Sequence, residues 1–323
     1  MRVAVMDDWQ GVAPEAADWS PLRARAEVVV LSEPFADEDA AAQALADFEI
    51  LIPMRERTPL PGSLIARLPK LRMIALTGHR SPSLDLAACT ERRVLVCNTG
   101  GTASSNGTAE LALGLMLAAA RRIPAGDAAI RAGRFQQGVG IGPVLEGKTL
   151  GIVGLGRIGR RVARYGKALD MRVLAWSRSL TREAAEAVGA ELASKEELLA
   201  ASDVVSLHVP LSPGSRGLIG AAEIARMKPG AILVNTSRSG LVDTAALLAA
   251  LHQGRIVAAL DVYDREPIPP GDPIRTAPNT VLTPHVGYGS VDTFRQFYGE
   301  SIENVLAFLD GKPVRVMNPE ALR

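Results

Sequence analysis

Short apolar runs alternate with longer stretches of helical period almost from end to end of this chain. The runs at 3–6 (VAVM), 28–31 (VVVL), 50–53 (ILIP), 73–76 (MIAL) and 94–97 (VLVC) carry no polar residue. A strand covered by helices on both faces of a parallel sheet has this character, because neither face meets water. Helical stretches separate the runs, so a repeating strand–helix rhythm is predicted for the first hundred residues. A long helix is predicted over 104–122. The glycine-rich run RAGRFQQGVGIGPVLEGK at 131–148 then breaks the period, and a loop or hinge is expected there.

Beyond that break the alternation restarts. Strands are predicted at 150–153, 173–176, 204–208, 232–235, 256–261 and 281–283, with helices beginning near 158, 181 and 244. A last helix over 291–309 sets Phe294, Phe297, Tyr298, Ile302, Val305 and Phe308 at helical spacing. Two sets of about five strands predict an α/β chain of two doubly wound parallel-sheet halves, with no internal sequence repeat. Its 323 residues suffice for two such domains.

Charge adds little to this picture: 36 basic against 35 acidic side chains leave +1, which gives no general pull toward nucleic acid or an anionic membrane. Cys89 and Cys97 are too few and too close for a disulfide framework, so a reducing compartment is expected. The opening MRVAVMDDWQ lacks the layout of a secretory signal. The longest apolar run, LALGLMLAAA from Leu111, is half of the ~20 residues a membrane span needs and reads as a buried helix. A cytoplasmic location without membrane attachment is the expectation.

Candidate chemistry begins at Gly154-Leu155-Gly156-Arg157-Ile158-Gly159, which follows a predicted strand and opens a predicted helix. In such a loop the first glycine makes the tight turn, the second admits a pyrophosphate, and the third lets helix and strand pack closely. Free N–H groups at the helix start attract the phosphates. The next strand ends at Ser177-Arg178, where an NAD site usually carries a carboxylate that binds the ribose hydroxyls and repels a 2′-phosphate. Ser177 removes the repulsion and Arg178 offers a cationic fork suited to phosphate. NADP(H) is the favoured cofactor, with NAD(H) left open and a solvated loop arginine as the competing reading of Arg178. Arg160, Arg161 and Arg164 read as a wet helix face.

Three further stretches place reactive side chains at predicted strand ends: NTSRSGLVD with Arg238, LDVYDREP with Asp261 and Glu266, and TPHVGYG with His285. Open α/β sheets bind their ligands at such ends. Singly, each has a plain alternative: a surface arginine, a turn glutamate before proline, a loop histidine.

Together, GKTLGIVGLGRIG, SLHVPLSPGSRGLI, MKPGAILVNTSRSGLVD, ALDVYDREP and TPHVGY stand in an order that resembles the D-isomer-specific 2-hydroxyacid dehydrogenases. That family includes glyoxylate/hydroxypyruvate reductases and phosphoglycerate dehydrogenases, and the resemblance runs through the whole chain. It implies a Rossmann cofactor domain at 101–289 inserted into a flavodoxin-like substrate domain made of 1–100 and 290–323. It also implies closure of the two around their ligands. The implied catalytic set is Arg238, Glu266 and His285. Arg238 would hold the substrate carboxylate and polarise the carbonyl, His285 would exchange the proton, and Glu266 would orient the imidazole and support its protonated form.

Asp261 falls where the family contacts the nicotinamide carboxamide; His208, Val209, Pro210, Thr236, Ser237 and Gly287 fall on other cofactor-contacting stretches. On the substrate side, Gly78 and His79 match a loop whose backbone N–H groups receive the carboxylate. The sequence HRSP there departs from the commoner form and leaves substrate choice open. Arg55 sits where some relatives carry a substrate-binding arginine, or is a surface base balanced by Glu56. The expected activity is hydride transfer between a nicotinamide cofactor and a small 2-keto or D-2-hydroxy acid of the glyoxylate or hydroxypyruvate class, with no metal. The helix over 104–122 resembles the family's dimerisation element, so a homodimer is expected. The end at Arg323 implies no added regulatory domain. A cofactor-sensing binding protein on the same fold, of the C-terminal-binding corepressor kind, is the alternative; the missing Tyr-x-x-x-Lys argues against a short-chain dehydrogenase.

Overall fold

The all-apolar runs become parallel strands, and the computed structural model, which describes residues 1–322, arranges them in two sheets. The first holds β1 (Arg2–Val5), β2 (Glu27–Val30), β3 (Ile50–Ile52), β4 (Met73–Leu76) and β5 (Leu95–Asn98). Their order is β2-β1-β3-β4-β5 and every pairing is parallel. That is the flavodoxin-like order, with the winding direction reversing between β1 and β3. β1, β3 and β4 are buried almost throughout, whereas edge strand β2 is half-buried.

The second sheet holds β6 (Thr149–Val153), β7 (Arg172–Trp176), β8 (Glu191–Leu192), β9 (Val204–Leu207), β10 (Ala231–Asn235), β11 (Ile256–Leu260) and β12 (Thr280–Leu282). Its order is β12-β11-β10-β9-β6-β7-β8, again parallel throughout. The chain winds outward from β6 to β8, returns to β9 on the other side of β6 and winds outward again. This is the Rossmann pattern extended by one strand, with its switch point between β6 and β9. Two apolar clusters lie within this unit, one around Leu150, Ile152 and Val162 and the other around Val205, Leu233 and Leu251. The fold class read from the sequence is the one observed.

One compact unit consists of Met1–Ala103 and the chain from Gly289 onward, the other of Ser104–Tyr288. The helix Val291–Leu309 returns the chain to the first unit and buries Phe294, Phe297, Tyr298, Ile302 and Val305. Several local details differ from the sequence reading. β8 is two residues long, too short to leave a pattern. Leu31, Pro53, His208, Asp261 and Thr283 lie just past their strands. The long helix spans Thr102–Ala120, and a second helix, Ile123–Arg131, follows Arg122 in a left-handed conformation (φ 54°). Residues 132–148 form the expected irregular stretch, with Gly133, Gly138, Gly140 and Gly147 at positive φ. Among the described residues no helix is long and apolar enough to cross a membrane.

Candidate active site

All strands of the second sheet run the same way, so residues following them gather at one end. Gly154 follows β6 with φ +100°, and a Cβ there would stand 2.6 Å from the His208 main-chain oxygen. A side chain at Gly159 would stand 2.0 Å from the Gly154 oxygen, which fixes the close approach of the helix Arg157–Ala168 to its strand. A Cβ on Gly156, the residue before that helix, would meet nothing within 4 Å. The first and third glycines are therefore dictated by the protein's own backbone, and the second is not. The helix start around exposed Arg157 and half-buried Ile158 supplies N–H groups suited to a diphosphate.

Residues flanking this loop carry polar atoms without protein partners. The Thr236 hydroxyl, just past β10, is buried with no hydrogen-bond partner, as is His208 Nδ1, just past β9. His208 Nε2 pairs with the Ser206 hydroxyl at 2.8 Å. Burial lowers the His208 pKa to about 4, so its ring is neutral near pH 7. Val209 packs against Gly154, Pro210 is exposed, and the Pro210 oxygen accepts from Ser215 Oγ at 2.7 Å. Past β7, Ser177 is half-buried and Arg178 exposed. Arg178 Nη1 lies 2.8 Å from where a Gly214 Cβ would be, so the guanidinium rests over the loop after β9. Open glycine space, orphaned buried polar atoms and a nearby guanidinium fit a dinucleotide.

Arg238, Glu266 and His285 follow β10, β11 and β12, three neighbours in the sheet. The turn carrying Arg238 is tied down by Asn235, whose Nδ2 donates to the Arg238 oxygen at 2.9 Å and whose Oδ1 accepts from the Ser237 N–H at 3.0 Å. Ser237 Oγ donates to the Leu207 oxygen at 2.8 Å, and Arg238 Nη1 to the Ser237 oxygen at 2.7 Å. Glu266 Oε2 pairs with His285 Nδ1, while its Oε1 accepts from the Tyr263 N–H at 2.8 Å. A carboxylate fixed at both oxygens gives the imidazole one orientation. The two side chains keep 29% and 31% exposure, so the pair is reachable from solvent.

Asp261 does more than the sequence suggests. Its Oδ1 accepts from Thr283 Oγ1 (2.6 Å) and the Val286 N–H (2.9 Å), and its Oδ2 from the Gly287 N–H (2.8 Å). The carboxylate thus ties both sides of His285, whose backbone is left-handed (φ 54°). Burial is the largest influence and raises the Asp261 pKa, against the lowering effect of these donors. Tyr263 assists, its hydroxyl donating to the Thr283 oxygen at 2.8 Å. Asn235, Tyr263 and Thr283 lie inside the quoted motifs but were not singled out there, because their parts are hydrogen bonds that show only in the folded chain.

In the first unit, Arg55 follows β3 and Gly78 follows β4. A Cβ on Gly78 would stand 1.7 Å from Arg55 Nη1, so the guanidinium lies directly on the Gly78 backbone. Arg55 also meets Glu56 at 3.4 Å. The Gly78 N–H donates to Thr99 Oγ1 at 2.6 Å, and the missing side chain leaves room for Arg55. His79 is exposed, and its carbonyl accepts from Asn98 at 3.1 Å. A cavity of about 160 Å³ beside Lys148, Asp203 and Lys228 lies at the opposite, amino-terminal end of β9 and β10 and shares none of these residues.

The family model for "D-isomer specific 2-hydroxyacid dehydrogenase, NAD binding domain" matches residues 113–287. A glyoxylate reductase from Aeropyrum pernix is 42% identical over 80% of this chain and 80% of its own length. A D-3-phosphoglycerate dehydrogenase from Archaeoglobus fulgidus is 38% identical over 82% of this chain, which spans only 50% of that relative. Among solved structures, a phosphoglycerate oxidoreductase from Vibrio cholerae superposes with a TM-score of 0.91 at 35% identity, covering 96% of this chain and 99% of that one. The chain belongs to the D-isomer specific 2-hydroxyacid dehydrogenase family, and its second unit contains all of the residues matched by the nucleotide-binding domain.

Proposed function

We propose that the protein is a nicotinamide-dependent 2-keto acid reductase, acting on a small acid of the glyoxylate or hydroxypyruvate class and yielding the D-2-hydroxy acid. The observation that carries this reading is the row at the ends of β10, β11 and β12: an arginine, then a glutamate bound to a histidine, beside a glycine loop with room for a diphosphate. Gly154, Gly156, Arg157, Ile158 and Gly159 would hold the diphosphate, while His208, Val209, Pro210, Thr236, Ser237, Asp261 and Gly287 would hold the rest of the cofactor. The bound nicotinamide would supply the hydride for reduction and accept it in the reverse direction.

The remaining work falls to the chain's own side chains. Arg238 draws the substrate's carboxylate and carbonyl into a bidentate grip that lysine would reproduce poorly. His285, turned by Glu266 at Nδ1, gives a proton from Nε2 to the carbonyl oxygen as negative charge grows there and takes it back in oxidation. Arg55 and the His79 N–H provide further carboxylate recognition, Gly78 making room for the arginine. Ser177 and Arg178 favour a cofactor bearing a 2′-phosphate. The exposed apolar side chains of Ile123, Ile130, Phe135, Ile141 and Val144 support a homodimer assembled through residues 102–144.

The test follows reduced nicotinamide absorbance with the full chain and a panel of 2-keto acids, for wild type and His285→Ala. Wild type consumes reduced cofactor, and the variant loses roughly 100- to 10,000-fold in kcat while still binding cofactor. Silence of wild type on every acid with both cofactors contradicts the reading and favours a cofactor-binding protein.

A further inference from the structure

Asp7 stands at the end of β1, beside the switch point of the first sheet, in a left-handed conformation (φ 62°). It is 1% exposed, and of its two carboxylate oxygens only Oδ1 has a partner, accepting from Thr58 Oγ1 at 2.6 Å. Oδ2 is buried and unpartnered. The Asp7 main-chain oxygen accepts from Arg57 Nη1 at 2.6 Å, and Arg57 Nη2 donates to Gln10 at 2.9 Å. Both contacts fall on the segment after β3, the one that carries Arg55. From the other side, the Arg55 N–H donates to Thr77 Oγ1 at 2.8 Å, and Thr77 Oγ1 donates to the Pro53 oxygen at 2.7 Å.

Residues 54–58 are therefore gripped at both ends, by Thr77 near Arg55 and by Asp7 at Arg57 and Thr58. Arg55 itself has φ 56°. A non-glycine residue persists in that region only when its surroundings over-determine it. We propose that Asp7 is a positioning residue for Arg55: through Thr58 and Arg57 it sets the strained turn that presents this guanidinium to the substrate carboxylate. Burial raises the Asp7 pKa, against the lowering effect of the Thr58 hydrogen bond and the Arg57 charge. An aspartate so buried and half-satisfied is costly as mere packing, which points to a task in the turn it holds.

The inference rests on the reductase reading, and its tests separate the two. With hydroxypyruvate and saturating reduced cofactor, Asp7→Ala raises KM by roughly tenfold and leaves kcat within about threefold, the pattern of lost binding that does not change in the transition state. Asp7→Asn keeps an Oδ1 acceptor for Thr58 and restores most of the KM. Adding Asp7→Ala to Arg55→Ala changes KM no further, because one residue acts through the other. If Asp7→Ala does not fold, Thr58→Val removes the same hydrogen bond and carries the same expected KM rise. A crystal structure of Thr58→Val reads the placement directly and needs no turnover: the Arg55 guanidinium leaves Gly78. Unchanged KM in folded variants, additive effects in the double variant, or Arg55 unmoved on Gly78 would each overturn the proposal. Wild type inactive on every 2-keto acid overturns the reductase reading, and the crystallographic result then decides on the Asp7–Arg55 coupling alone.

Discussion

On the proposed reading, a single guanidinium would carry a preference for a cofactor with a 2′-phosphate. Arg178 stands two residues past β7 with its Nη1 over Gly214, and Ser177 beside it presents a hydroxyl where a carboxylate would repel a 2′-phosphate. A charge-assisted hydrogen bond to phosphate contributes about 1.5–3 kcal/mol, roughly ten- to 150-fold in Kd. Arg178→Ala should therefore weaken NADPH binding by roughly tenfold or more while NADH binding changes less than about twofold; titration by fluorescence of the bound nicotinamide measures both. Equal losses for the two cofactors would remove Arg178 from the phosphate. His285 shows how far one residue can be read from sequence. A histidine after Thr283-Pro284 at a strand end was legible as a candidate, and its partner Glu266 was legible through the resemblance. The left-handed backbone of His285 and the clamp from Asp261 were not, because they arise from hydrogen bonds between residues up to 26 positions apart.

At the level of elements, burial made the sheet readable. β3, β6, β10 and β11 are buried at every residue, so their sequences contain little but apolar side chains and glycine, and all were found to within about two residues. β8 escaped because two residues leave no period. The helix Ile123–Arg131 was missed for another reason: its Ile123 and Ile130 face solvent in the single chain, at 55% and 56% exposure, so no buried stripe marks it. Gly159 marks the opposite limit. Its identity and the need for close helix–strand packing were legible as part of a motif, whereas the atom a side chain would strike, the Gly154 oxygen, shows only once the two are packed.

The whole molecule brings charge, assembly and reaction together. Ile123, Ile130, Phe135, Ile141 and Val144 lie between 55% and 97% exposed within 22 residues of chain, a concentration of apolar surface that monomers seldom leave uncovered. Light scattering of the purified full chain should return twice the 34.1 kDa chain mass, and Phe135→Asp with Ile141→Asp should shift it toward one copy; a wild-type monomer at micromolar concentration would contradict the dimer. The balanced net charge of +1 gives no long-range steering, so on the proposed reading an anionic substrate is drawn by local cations such as Arg238, just past β10.

The most direct measurement traces the transferred hydrogen. The full chain is incubated with hydroxypyruvate and reduced cofactor carrying deuterium at both nicotinamide C4 positions, and the product is resolved by configuration and NMR. Wild type should form glycerate of D configuration carrying deuterium at C2, and His285→Ala should not. Product of L configuration, product without deuterium, or equal formation by the variant would contradict the proposed function.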